Sequence, residues 1–127
     1  MKEYQTDQIR NIALIGHGSS GKTTLTESML FYSGATQRIG RVDGNTMSDF
    51  DKEEIARKVS IGTSVIPAEW NDIKYNFLDT PGYFDFAGEM YGALRASEAA
   101  IVLVDASAGV EVGTEKAWEY TEKNDIP

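Results

Sequence analysis

The hydrophobic positions of this chain fall into short blocks separated by polar and glycine-rich stretches. Asn11-Ile12-Ala13-Leu14-Ile15-Gly16 is an apolar run closed by glycine, which predicts a buried strand feeding a turn. Beyond the turn, Leu25, Met29 and Tyr32 recur at helical spacing. They predict a helix over 22–32 that Ser33-Gly34 terminates. Residues 35–60 show no sustained period, with helical character confined to about 51–57. An aperiodic stretch of that length inside a compact domain more often serves function than fills space. Two strands follow. One covers 62–70 and contains Pro67, which has no N–H for a ladder and therefore belongs at a sheet edge. The other covers 73–78, with Ile73, Tyr75 and Phe77 on one face. Asn71-Asp72 between them predicts a tight hairpin turn.

Asp79-Thr80-Pro81-Gly82 closes the second strand, and Met90, Ala93 and Leu94 mark one face of a further helix. Residues 99–104 form a continuous apolar run, which predicts a strand buried on both faces. After a loop over 105–113, Thr114 is placed to cap a last helix, with Glu115 in its first turn and Trp118 and Tyr120 beyond. The order is strand, helix, two-strand hairpin, helix, strand, helix. It predicts an α/β fold: an open, mostly parallel sheet with one antiparallel edge hairpin and helices on both faces.

Composition narrows the function. The 127 residues suffice for one domain, and 41% hydrophobic with 25% charged residues is ordinary for a globular chain. Without cysteine and with one histidine, His17, neither a disulfide scaffold nor a Cys/His metal centre can form. Twelve basic against 20 acidic residues give a net charge of −8, which argues against direct DNA binding through the general field. No apolar run approaches the ~18–20 residues of a membrane span. The first ten residues lack the apolar core of a signal peptide. A cytoplasmic protein without membrane contact is expected.

The chemistry concentrates in Gly16-His17-Gly18-Ser19-Ser20-Gly21-Lys22-Thr23, which matches the phosphate-binding pattern G-x-x-x-x-G-K-[ST]. Glycines let the backbone wrap an anion closely so that successive N–H groups point inward. The helix that follows aims its own unpaired N–H groups at the same place, through Thr24. The Lys22 ammonium can then reach the β- and γ-phosphates, and the Thr23 hydroxyl suits Mg²⁺, a hard cation. A chance match in a chain of this size is on the order of a few in a thousand. His17 reads as a spacer whose backbone serves the phosphates. Asp79-Thr80-Pro81-Gly82 is a common strand-ending turn when taken alone. Beside a phosphate loop, its carboxylate can hold a metal-bound water and its Gly82 N–H can face a γ-phosphate.

Together these residues resemble the G domain of translational GTPases, most closely elongation factor G and the elongation factor G-like group. The resemblance extends through Thr24-Leu25-Thr26-Glu27, Tyr32-Ser33-Gly34 and Ile39-Gly40-Arg41-Val42-Asp43-Gly44. It continues with Asp49-Phe50, Arg57-Lys58-Val59-Ser60-Ile61, Asp85-Phe86 and Asp105-Ala106-Ser107-Ala108-Gly109-Val110. It implies a phosphate-loop NTPase fold that binds GTP or GDP with Mg²⁺ and acts on the ribosome. By this resemblance the nucleotide is held by 16–24 together with Asp79, Thr80, Pro81 and Gly82. Thr23, Ser60 and Asp79 would serve the metal. Switch I would be about 35–62, and switch II about 79–95.

The family pattern Arg-Gly-Ile-Thr-Ile becomes Arg57-Lys58-Val59-Ser60-Ile61, so Ser60 takes the threonine position. Tyr83 stands where the family has the histidine that orients the attacking water, and Ser19 where an Asp is common. Catalysis is thus assigned to Lys22, Gly82 and Tyr83. The Asn-Lys-x-Asp motif that reads guanine in this family does not occur here. The chain is therefore expected to be the front part of a G domain, cut before its guanine-recognition strand. Strand 99–104 would then be an exposed edge through which the fragment self-associates. The alternative is a regulatory nucleotide-binding module with little hydrolysis. A phosphate-loop ATPase or small-molecule kinase accounts less well for the switch-like stretch.

Overall fold

Residues 2–41, 46–48 and 51–127 are described by the structure, a computed structural model. Met1, Val42, Asp43, Gly44, Asn45, Asp49 and Phe50 lie outside the described residues, and with them part of the switch-like stretch. The elements are β1 (Ile9–Gly16), α1 (Lys22–Tyr32), α2 (Lys52–Arg57), β2 (Ser64–Trp70), β3 (Ile73–Asp79), α3 (Ala87–Ala96), β4 (Ala99–Leu103) and α4 (Val112–Lys123). The described strands form one sheet in the order β2-β3-β1-β4. β1 runs parallel to β3 and β4, and β2 pairs antiparallel with β3. This is the α/β architecture that the hydrophobic pattern predicts, with the hairpin at one edge.

Side-chain alternation along β1 explains the two cores. Ala13 and Ile15 face α3 and α4, packing with Leu78, Met90, Ala93, Leu94 and Ala117. Leu14 faces α1 and packs with Leu30, Ile66, Ala68 and Phe77. The register sets Asp79 opposite Leu14, two residues before Gly16. The β3 carboxylate thereby arrives beside the first glycine of the turn.

Local chemistry accounts for the boundaries. At the end of α1, Gly34 is left-handed at φ +77°. Its N–H donates to Phe31 O at 3.0 Å and that of Ala35 to Leu30 O at 2.9 Å, the paired bonds of a glycine-terminated helix. Asn71 and Asp72 both have positive φ, +49° and +61°, as a two-residue hairpin turn requires. Pro67 stands opposite Asn76 on the outer strand β2, where a missing donor costs nothing.

Three expectations need correction. β1 and β3 pair from Ile9↔Lys74 onward, so β1 begins two residues before Asn11, in a stretch whose polarity hides it. β4 is not buried on both faces: its residues are half-buried and Ile101 is 37% exposed, because β4 has only β1 beside it among the described strands. The last helix starts at Val112 with Glu111 as its N-cap, so Thr114 lies inside the helix and caps nothing. The physical reason is that the first turn of α4 finds its acceptor elsewhere: the Gly113 N–H donates to His17 Nδ1 at 3.2 Å.

Candidate functional site

The glycine turn is shaped from both ends. β1 ends at Gly16, φ +142°, where a Cβ would lie 2.4 Å from Leu103 O. Gly21 is left-handed at φ +95° and forms the N-cap of α1. Both positions demand glycine. Ser19 takes the left-handed region as well, at φ +64°, although it is not glycine. The Lys22 Nζ folds back to donate to His17 O at 2.7 Å and Gly16 O at 3.2 Å. The side chain thus spans the loop it belongs to. Burial pushes the Lys22 pKa down to about 8, against the nearby Asp79 carboxylate, which favours the charged form.

A cleft of about 270 Å³ opens over this loop. Gly18, Ser19, Gly21, Lys22 and Thr23 line one side, Lys58, Val59 and Ser60 a second, and Thr80, Gly82 and Tyr83 a third. Three oxygens converge beside it, those of the lining residues Thr23 and Ser60 and that of Asp79, which is buried behind them. The Thr23 hydroxyl donates to Asp79 Oδ2 at 2.8 Å and lies 3.4 Å from Ser60 Oγ. Asp79 is 1% exposed. Two hydroxyls and one carboxylate are hard donors that suit Mg²⁺, which keeps waters and phosphate oxygens in its shell rather than asking for an all-protein cage. The described residues contain no cluster of three or more acidic, His or Cys groups fit for a metal. Ser20 Oγ, inside the loop, is buried with no hydrogen-bond partner, as expected of a cradle whose partner is an anion.

The strand-end turn closes on the loop. A Cβ at Gly82 would lie 2.7 Å from Gly18 N and 2.4 Å from Lys22 Nζ, so only glycine allows this approach. The Tyr83 ring covers Gly18, where a Cβ would be 3.0 Å from Cζ. Thr80 turns its hydroxyl to Leu14 O at 2.7 Å, which anchors the turn to β1. Pro81 is buried, and Thr24 is exposed on α1 and does not line the cleft.

The tertiary contacts of three side chains escape a reading of the sequence. His17 is more than a spacer: besides accepting from Gly113, its Nε2 lies 3.5 Å from Glu111 Oε1. This arrangement leaves the proton on Nε2 and ties the loop to the start of α4. Glu27 on α1 is 1% exposed, and its Oε1 accepts from the N–H groups of Met47 and Ser48. Glu54 on α2 is 5% exposed and accepts from Ile61 and Gly62. In a sequence, such carboxylates look like solvated helix faces. Only Glu54 leaves a trace, since Asp51-x-x-Glu54 is a capping-box pattern.

Comparison with known proteins shows the family of the chain. The family model described as "Elongation factor Tu GTP binding domain" matches residues 7–127. Proteins named ribosome-releasing factor 2, mitochondrial, are 44% identical in Scheffersomyces stipitis and 44% in Danio rerio. They match over 100% and 94% of this chain, which spans only 15% and 16% of their lengths. A solved protein of Thermus thermophilus superimposes with TM-score 0.91 at 47% identity, over 94% of this chain and 18% of its own. Elongation factor SelB of Methanococcus maripaludis, solved with a GTP analogue, shares the fold at TM-score 0.71 and 17% identity, over 100% of this chain and 22% of its own. No helix among the described residues is long and apolar enough to cross a membrane.

Proposed function

Because the chain belongs to the elongation factor Tu GTP-binding domain family, we propose that it binds GTP and GDP with Mg²⁺ and that the protein carrying it hydrolyses GTP on the ribosome. One observation carries the reading: Lys22, Thr23 and Ser60 line a single cleft, the buried Asp79 accepts from the Thr23 hydroxyl behind it, and Gly82 closes onto the phosphate loop. The reaction is water attack on the γ-phosphorus, with GDP as leaving group. Its catalysis is mostly positioning and charge stabilisation.

Within this reading the amides of 18–24 and the Lys22 ammonium hold the phosphates. Thr23, Ser60 and Asp79 hold Mg²⁺, directly or through its water, and the ion supplies charge neutralisation when bound. The Gly82 N–H senses the γ-phosphate. Tyr83 takes the water-facing position, where a neutral phenol is a poor general base. Switch I is assigned to about 35–62 and switch II to about 79–95. The names of the relatives, ribosome-releasing factor 2, support a ribosome-associated factor; that it is elongation factor G-like rests on the motifs of the sequence. We propose the cytoplasm as the compartment; the relatives carry mitochondrial names, and cell fractionation decides between the two.

Tyr83 and Ser19 favour a second reading, a nucleotide-sensing module that hydrolyses very little. Titration of the intact protein with a fluorescent GDP analogue tests the binding. Lys22→Ala should remove most of it, and an unchanged titration would sink the assignment. Single-turnover hydrolysis with and without ribosomes then separates the two readings.

A further inference from the structure

Thr23 and Glu27 stand four residues apart on α1, and so one turn apart on the same face. Each meets the stretch between α1 and β2. Thr23 Oγ1 lies 3.4 Å from Ser60 Oγ. Glu27 Oε1 accepts from the Met47 N–H and, at 3.3 Å, from the Ser48 N–H. Glu27 and Ser48 are both buried. The Ser48 carbonyl in turn accepts from the Ser64 hydroxyl, and Ser64 opens β2 opposite Asp79. Residues 46–48 are thus tied on one side to the helix that follows the glycine turn and on the other to the hairpin that carries Asp79. They belong to no helix or strand, so their buried N–H groups must find acceptors outside a ladder. A carboxylate is a strong acceptor and a costly one to bury. The second oxygen, Glu27 Oε2, has no partner, so the two amides alone offset the burial of this charge.

We propose that Glu27 is a positioning residue that sets nucleotide preference: by holding Met47 and Ser48 on α1, it favours a nucleoside triphosphate with Mg²⁺ over a diphosphate. The inference rests on the nucleotide-binding reading above and concerns the nucleotide-bound protein. The two ligands draw on different walls of the cleft. Gly18, Ser19, Gly21, Lys22 and Thr23 line one, and Lys58, Val59 and Ser60 another. The glycine turn and its lysine suffice to grip a diphosphate. A triphosphate whose ion bridges its β- and γ-oxygens also draws on the Ser60 hydroxyl beside Thr23. Settling the stretch on α1 costs conformational entropy. The bonds to Glu27 offset part of that cost, and they do so only for the ligand that uses the settled stretch. When the stretch leaves α1, water replaces the two amides at the carboxylate, so the anchor adds nothing to diphosphate binding.

The test uses the intact protein, titrated in Mg²⁺ with a fluorescent non-hydrolysable GTP analogue and with fluorescent GDP. Glu27→Ala should weaken binding of the analogue by about tenfold and leave GDP affinity unchanged. Glu27→Gln keeps a neutral acceptor for the two amides and should weaken the analogue by about threefold. In the analogue complex of the unsubstituted protein, the Met47 and Ser48 amides should be protected from hydrogen exchange, and Glu27→Ala should release them.

A folded Glu27→Ala variant that prefers the triphosphate as strongly as the wild type overturns the proposal. So does an equal loss for both nucleotides, which would make Glu27 a support of α1 alone. Unprotected Met47 and Ser48 amides in the wild-type analogue complex overturn it as well. Should Glu27→Ala fail to fold, Glu27→Gln decides, and an unchanged preference overturns the anchor. An unsubstituted protein that takes up neither nucleotide overturns the nucleotide-binding reading and the anchor with it; normal wild-type titrations confine any failure to the anchor.

Discussion

Lys22 brings an ammonium to a position only 5% exposed. Its pKa falls from 10.5 to about 8, chiefly through burial. The folded chain therefore holds this proton less tightly than the unfolded chain. Below pH ~8 both states are protonated and the penalty is fully present. As pH rises from ~8 toward ~10.5, the folded state loses its proton while the unfolded state keeps it, and the penalty fades. The difference between the two pKa values is worth about 3 kcal/mol. In urea unfolding without nucleotide, the wild-type chain should gain up to about that much from pH ~7.5 to ~10, relative to Lys22→Met. An identical pH dependence in both would refute the buried ammonium.

Tyr83 sets the second residue-scale prediction. Its ring covers Gly18 and it is 43% exposed at the cleft. Under the proposed function, Tyr83→His should speed single-turnover hydrolysis by about tenfold or more at equal nucleotide affinity, since an imidazole shares protons near neutral pH. A flat or slower rate would count against a water-positioning role at residue 83.

At the scale of elements, α1 and the β2–β3 hairpin show their ends in the sequence, because Gly34 and Asn71-Asp72 act on their own backbone. The start of α4 does not. His17, 96 positions away, supplies the acceptor for its first turn, and Thr114 is left inside with a buried hydroxyl that has no partner. Thr114→Val removes that orphan while nearly preserving shape. It should leave stability unchanged or raise it by up to about 1 kcal/mol, read as a higher thermal midpoint. A loss of more than ~1 kcal/mol would mean that the hydroxyl has a partner in solution.

At the scale of the whole molecule, the described sheet ends on β4, whose outer edge is partly occupied: the Ala100 N–H donates to Pro127 O at 2.8 Å. Ile101, Val102 and Leu103 continue that edge without charge, which makes it a template for another strand. The 127-residue chain should therefore self-associate at high concentration in light scattering. Salt should promote this by screening the net charge of −8. Ile101→Lys should suppress it, because a lysine at an edge discourages pairing. A strictly monomeric mass at every concentration and salt level would refute the edge as a pairing surface.

The sequence by itself determined whatever depends on neighbours along the chain. The glycine turn and its lysine, the left-handed hairpin residues, the glycine after α1 and the alternation of β3 all act within a few positions. So do the apolar periods that set the fold class. The glycine turn of 16–23 was legible for the same reason, since the anion site proposed there consists of consecutive backbone amides. The tertiary structure alone decided the rest. It brought Asp79 to Thr23 through strand register, closed Gly82 onto Gly18, and turned His17 toward Gly113. It also buried Glu27 and Glu54 as acceptors for backbone that has no ladder to join. A carboxylate on a helix reads as solvated until the packing shows which distant N–H groups it must satisfy.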